Sequence, residues 1–393
     1  MQVNTRVKRA PWWLTVTVIW VLSRVVTTLF LLSFAARQQE NAWTGAHPDY
    51  FSFASLWDGT WYHIIATSGY PTELPTTPDG RVGENAWAFM PGYPMLVRGL
   101  MMLFGSGWEV TSVVVSVVFS WAGALLFYQL MRTRLPPGTS IFAVVLLCVA
   151  PLSPIMQVAY AESMHAFFLT LALYLVVTRN YRWLFPIIAI MAITRPTGLA
   201  FALALGLHVV HRWVRRGQDP FSRSERWLTV GSAVFSGAMG LVWPALAWMV
   251  TGSITAYTDT ELAWRAPYIG HGELTPFTPW VQGANFWFPA PWGPIILAGV
   301  AAGFVVFLTL PSTRKLGFDL IAWAVSYALY LAAVFFPQSS TFRLLLPLFP
   351  LVGALAQPRS RWYRAALVGV SLLGQWVWID WCWWVDDHDW TPP

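Results

Sequence analysis

Charge is what this sequence has least of. Only 11% of its 393 residues are Asp, Glu, Lys or Arg, and 56% are hydrophobic. An ordinary soluble domain carries about 25% charge, so a soluble globular protein is excluded and an all-α integral membrane protein is expected. Cysteine is nearly absent too. Cys148 and Cys382 both lie in apolar segments, which suggests neither a disulfide framework nor a zinc site. Also missing are a Walker A loop, G-x-G-x-x-G, H-E-x-x-H and G-x-S-x-G. Without a phosphate-cradling loop, direct use of a nucleotide is not expected, and a substrate that arrives through the membrane fits better. There is no fixed-period repeat, no low-complexity tract and no soluble domain. Residues 1–393 therefore read as a single polytopic membrane domain.

The net charge of +6 is explained by where the cations sit, so no nucleic-acid partner is expected. Arg6/Lys8/Arg9, Arg132/Arg134, Arg179/Arg182, Arg212/Arg215/Arg216/Arg223/Arg226, Arg314/Lys315 and Arg359/Arg361/Arg364 hold 17 of the 24 cations. Of the 18 acids, Asp219, Glu225 and Asp319 alone share their side. Basic short loops mark the cytoplasmic face. The expected topology has the N-terminus cytoplasmic and the long loops outside. The first apolar run, 12–36, follows Arg6, Lys8 and Arg9, and Ser33-Phe34-Ala35 weakly imitates a signal-peptidase site. The run exceeds the ~7–15 residues of a signal-peptide core and is long enough to span, so it reads as an uncleaved anchor.

Residues 37–109 then form a long external loop rich in Pro, Gly, Thr and aromatics. Its apolar piece 88–104 is broken by Pro91, Gly92 and Pro94 and carries Arg98. It reads as interfacial or re-entrant, because broken backbone at membrane depth needs protein or water around it. Spans follow at 110–131, 140–155, 160–178, 183–193, 197–213, 228–251, 292–310, 318–336, 342–356 and 363–384, about eleven in all with the first. The 183–213 hairpin bends at Thr194-Arg195-Pro196-Thr197-Gly198, which can place Arg195 below the outer surface. The basic stretch 211–227 reads as a topology anchor on anionic lipid. A second external segment, 252–291, carries Asp259, Glu261, Arg265, His271 and Glu273, and Asp386-Asp387-His388-Asp389 falls outside after the last span.

Between apolar segments, residues 51–94 set Asp58 inside Trp57-Asp58-Gly59-Thr60-Trp61-Tyr62-His63. Trp57, Trp61 and Ile64/Ile65 predict the apolar face of an interfacial helix. Asp58 lies beside that stripe, where scarce water would raise its pKa towards that of a general base. A helix cap or interface carboxylate is the plainer alternative. Glu162 opens a span ahead of Ser163 and His165. It is either a carboxylate favoured by the helix dipole or a partner for a sugar hydroxyl, and His165 reads as packed or hydrogen-bonded. Arg195 and Arg343 stand alone at the outer ends of apolar segments. Burying either unpaired costs about 2.5–3.5 kcal/mol, so each needs an anion: Glu162, Asp58, or a lipid phosphate gripped bidentately. Arg98 and His63 are weaker candidates for that task. The 26 Trp make an interface belt, and some suit stacking on a sugar ring.

Phe53-Ala-x-x-Trp57-Asp58-Gly59-x-Trp61-Tyr62-x-x-Ile65-Ala66-x-x-Gly69-Tyr70 is the most specific of five blocks that resemble the PIG-V-type mannosyltransferases. The others are Ala88-Phe89-x-Pro91-x-Tyr93-Pro94, Tyr160-x-Glu162-Ser163, Thr194-Arg195-Pro196-x-Gly198-Leu199 and Phe342-Arg343-x-x-x-Pro347-Leu-Phe-Pro350. Met90 and Gly92 depart from the pattern, and 252–291 does not align with it. The resemblance implies a GT-C glycosyltransferase fold and a polyprenyl-phosphate-mannose donor used on the extracytoplasmic face of the cell membrane. It also implies an acidic base in the first external loop, here Asp58. On this reading Arg195 and Arg343 bind donor phosphate, Trp57, Trp61, Tyr62, His63 and Glu162 face sugar or acceptor, and a glycolipid accepts the mannose. No cofactor or metal is required, and a divalent ion is left open. A polyprenyl-lipid flippase would also use intramembrane arginines and broken helices, but it predicts internal repeats and a midplane site. A non-catalytic scaffold would leave Asp58 replaceable.

Overall fold

A computed structural model describes residues 10–270, 272 and 275–385. Arg6/Lys8/Arg9, His271, Glu273 and Asp386-Asp387-His388-Asp389 lie outside the described residues. Those described are helical, with no strand and one isolated bridge between Thr76 and Val82. Five helices are long and apolar enough to cross a membrane: Trp12–Ala35, Trp108–Arg132, Arg223–Thr251, Trp292–Thr309 and Arg361–Trp383, the last with a π-helical end over Ile379–Trp383. Shorter apolar helices fill in between them, among them Pro137–Val149, Glu162–Val177, Gly198–Val214 and Phe318–Val334. The protein is a multi-pass, all-helical membrane protein.

Trp108–Arg132 is the most buried of the five. Ser112, Ser116, Ser120 and Ala124 recur on it every four residues, and all are buried. Small residues on one helical row let neighbouring backbones approach, and Glu162–Val177 packs along this helix. The row also carries polar ties: Tyr93 Oη donates to the Ser112 carbonyl at 2.8 Å, Ser116 Oγ to the Tyr160 carbonyl at 3.0 Å, and Trp20 Nε1 to Ser120 Oγ at 3.0 Å. Gly198–Val214 and Arg223–Thr251 cross so closely that a Cβ on Gly198 would meet Gly240 Cα at 2.7 Å. Ser236 Oγ donates to the Gly198 carbonyl at 2.8 Å in the same crossing.

Three expectations are corrected. The segment 342–356 is not one continuous α-helix. It is Thr341–Leu344, a 3-10 stretch Leu346–Leu351 and Val352–Leu355, because Pro347 and Pro350 lack the N–H that an α-helix needs. The 140–155 span stops at Val149, since Ala150 precedes Pro151 and is held extended at φ −48°, ψ 150°. The third concerns Asp58–Ser68. Its buried face is Gly59, Tyr62, Ile65 and Ala66, with Trp57 buried just before it, whereas Trp61 is half-buried and Ile64 is exposed.

Residues 37–109 and 252–270 meet. Asn85 Nδ2 donates to Thr260 Oγ1 at 2.8 Å, and Trp264 packs edge-on against Trp61 and Phe89. Arg265, ion-paired with Glu261 at 3.9 Å, donates to the Val334 carbonyl at 2.7 Å. Residues 252–270 are thereby fixed over the helix that begins at Asp58.

Candidate active site

Asp58 opens its helix, and the residue before it is in an unusual conformation. Trp57 has φ +57° and ψ −123°, a region that L-residues adopt only when the surroundings over-determine them. Those surroundings are visible. Trp57 is buried, its Nε1 donates to the Trp383 carbonyl at 2.8 Å, and Trp383 Nε1 donates back to the Phe53 carbonyl at 2.9 Å. Tyr160 supplies the second hold. Its Oη accepts from the Asp58 backbone N–H at 3.1 Å, and Ala159 N–H donates to the Ala54 carbonyl at 2.8 Å. Asp58 is thus aimed by its own backbone.

Arg343 Nη1 donates to Asp58 Oδ2 and Arg195 Nη2 to Glu162 Oε1, while Arg343 Nε stands 3.6 Å from Glu162 Oε1. The four charges form one alternating chain, Asp58, Arg343, Glu162, Arg195. Their side chains are only 12%, 10%, 5% and 15% exposed, respectively, so little water screens them. The Arg343 guanidinium also lies 5.4 Å over the Tyr160 ring. The chain is not saturated, because Glu162 Oε2 and Arg343 Nε are buried without a hydrogen-bond partner.

The Arg195 turn is held from two sides. His165 Nε2 bonds to Thr197 Oγ1 at 2.9 Å, and Gly92 N–H donates to the Ile193 carbonyl at 2.8 Å. A Cβ at Gly92 would meet that carbonyl and Thr194 Oγ1 at 2.8 Å each. Gly92, a position where the sequence departs from the pattern it resembles, therefore lets residues 37–109 touch the Arg195 turn.

The remaining candidates divide. Trp61 stacks on Phe89 at 5.8 Å and is half-buried under Trp264. Tyr62 is fully buried against Phe89, Tyr93 and Tyr160. His63 is exposed and stacks on Trp108 at 5.2 Å, about 140° round the helix from Asp58 at ~100° per residue. Desolvation lowers its pKa from the ordinary 6.5, against the pull of Glu109. Arg98 is exposed on Gly92–Phe104. Among the described residues no three His, Cys, Asp or Glu side chains gather around one point. The sequence reading missed two parts of the site and its frame. Tyr160 was quoted only as part of a motif, although Oη-bearing side chains beside a carboxylate are common partners. Arg24 was not singled out, although a lone Arg inside an apolar span is a visible signal.

The fold and site define a helical membrane bundle with a buried carboxylate–guanidinium chain near one end. No protein-family model matches the sequence, and no curated protein matches it. Solved structures with a similar course exist. ArnT from Cupriavidus metallidurans, bound to undecaprenyl phosphate, is 13% identical, with a TM-score of 0.48 over 90% of this chain and 62% of that one. The oligosaccharyltransferase AglB from Archaeoglobus fulgidus, in complex with an inhibitory peptide and a dolichol-phosphate, is 14% identical, with a TM-score of 0.39 over 92% and 55%. The same archaeal oligosaccharyltransferase in complex with Zn and sulfate is 12% identical, with a TM-score of 0.42 over 92% and 52%. The chain thus spans between 52% and 62% of the length of these neighbours.

Proposed function

We propose that the protein is a membrane mannosyltransferase of GT-C type that moves mannose from a polyprenyl-phosphate donor to a glycolipid on the extracytoplasmic face, with inversion and with Asp58 as general base. The observation that carries this reading is the buried chain from Asp58 through Arg343 and Glu162 to Arg195. Four of the sequence blocks that resemble the family, far apart in the chain, supply its members.

In the resting site Asp58 is paired with Arg343, and a donor phosphate competes for the same guanidinium. When Arg343 turns to phosphate, the Asp58 carboxylate is released to face the acceptor hydroxyl. Asp58 then takes the proton of the acceptor hydroxyl, the acceptor oxygen bonds to the anomeric carbon, and the bond from that carbon to the phosphate oxygen breaks. The electron pair leaves with polyprenyl phosphate. Because phosphate is already a good leaving group, one carboxylate suffices for in-line displacement, without the carboxyl pair of a glycosidase. Arg343 and Arg195 meet the charge that grows on the phosphate, in a place where water is scarce.

Glu162, whose Oε2 has no partner, is suited to accept from a sugar hydroxyl, and Trp61 offers the ring surface for the sugar. Trp57 and Tyr62 support the site from beneath, and His63 lies at its margin. The test is transfer of radiolabelled mannose from polyprenyl-phosphate-mannose to membrane glycolipids by purified protein. Wild type should transfer label. Asp58→Asn, eluting as a folded species, should lose at least 10³-fold in turnover, of the order that proton transfer and its electrostatic support supply. Near-normal turnover in Asp58→Asn would remove Asp58 as the base.

A further inference from the structure

At the other end of the bundle lies a cavity of about 460 Å³, far larger than the roughly 30 Å³ share of one water. It sits where Trp108–Arg132, Glu162–Val177 and Gly198–Val214 finish and Phe318–Val334 begins. Its walls bring Arg134, Arg179, Arg212 and Arg215 together with only two carboxylates, Asp219 and Asp319. The carboxylates are already engaged. Asp219 takes both Nη atoms of Arg179, and Arg212 Nη1 at 3.1 Å. Asp319 takes His208 Nδ1 at 2.7 Å and Arg134 Nη2 at 3.5 Å.

Two features single this cavity out from an ordinary basic surface. Arg212 is 4% exposed and lines the cavity, its Nη atoms held by Asp219, the Pro220 carbonyl and Glu225. Gly317, at φ +85°, has no side chain where Arg134 lies, and a Cβ there would meet Arg134 Cζ and Nε at 3.0 Å. The glycine leaves the guanidinium its place in the wall. An anion is what such a wall lacks. Guanidinium groups match the geometry of phosphate oxygens, and four of them line this wall against two carboxylates. Surplus positive charge argues against a metal cation.

We propose that this cavity binds a phosphate-bearing anion, held by Arg212 and Arg215 with Arg134 on the facing wall. The phosphate comes either from a phospholipid headgroup or from a free phosphate compound. Trp213 and Val214, 47% and 76% exposed beside the site, would lie against the acyl chains in the first case. The site is separate from the Asp58 cluster and does not depend on the reaction assigned to it.

The experiment uses the full chain in a neutral detergent and two probes. Inorganic pyrophosphate is titrated calorimetrically, and phosphatidylglycerol retention is counted by native mass spectrometry against phosphatidylcholine. Wild type should bind one probe at a single site. Arg215→Glu, an exposed position where the change leaves the core alone, should weaken that binding at least tenfold, and Arg134→Gln should weaken it too. Binding of phosphatidylglycerol alone assigns the site to a lipid headgroup, and binding of pyrophosphate assigns it to a free anion. Neither probe bound by wild type, or binding unchanged in either variant, overturns the proposal.

Discussion

Arg343 Nη1 is hydrogen-bonded to Asp58 Oδ2 across a separation of 285 residues, and the same guanidinium stands 3.6 Å from Glu162. One side chain therefore restrains both acids of the cluster. Lysine could neutralise one of them, but its point charge cannot reproduce a planar fork. Arg343→Lys is expected to lower kcat by about 10²–10³-fold, the loss typical when a preorganised electrostatic partner is removed. Arg343→Ala strands the buried Asp58 carboxylate and leaves Glu162 with Arg195 alone, a change that costs about 3–5 kcal/mol when a buried pair is broken. Adding Asp58→Ala to it should restore part of that stability, because the uncompensated charge is gone. Thermal unfolding of the three variants in detergent checks the order, and a double variant less stable than Arg343→Ala would contradict it.

Gly92→Ala reports on the contact between residues 37–109 and the Arg195 turn. The new Cβ meets the Ile193 carbonyl and Thr194 Oγ1 at 2.8 Å, and neither is the end of a flexible side chain. Overpacking of this kind costs about 1–3 kcal/mol. The larger effect should be on transfer, since the displaced turn carries Arg195. Steady-state kinetics should show kcat falling more than the unfolding midpoint alone accounts for. Unchanged kinetics would mean that the turn tolerates the shift.

Asp219 supplies a test by pH. Its hydrogen bonds from Arg179 hold its carboxyl below the ordinary value of 3.8, with Arg212 adding to the effect and desolvation opposing it. A depressed folded-state pKa contributes stability above the unfolded value and loses it as pH falls through the folded one. Asp219→Asn should therefore lower the unfolding midpoint at pH 7. The gap from wild type should narrow only below about pH 4, near the reference carboxylate range. A gap that closed between pH 7 and pH 5 would point to another group.

Much of the site was legible because charge in an apolar sequence is costly and therefore visible. Asp58, Glu162, Arg195 and Arg343 could each be picked out one at a time by their surroundings, and the structure brings all four into one cluster. Which acid would meet which cation was not legible, since that depends on how distant segments fold back on one another. The face of Asp58–Ser68 was misjudged for a related reason. Trp61 is covered by Trp264, about two hundred residues later, so periodicity within one stretch could not show which side is inside. The broken 342–356 segment was visible in Pro347 and Pro350, but its apolar composition outweighed them. Arg24 is the clearest omission. It is buried in the first helix, and its guanidinium donates to the Cys148 and Ser153 carbonyls at 2.7 and 2.9 Å. A cation can thus be placed inside a span by carbonyl and hydroxyl groups, without a carboxylate.

The alternating cluster has equal numbers of carboxylates and guanidinium groups, so by formal charge it is neutral. A sugar phosphodiester brings one negative charge into it. On the proposed reaction the diester becomes a phosphate dianion while Asp58 gains a proton, and the enclosed total is again one negative charge. The site would complete transfer without exchanging any ion with its surroundings. Its electrical cost falls on donor entry and product exit, which makes those two steps the ones on which membrane potential and salt should act.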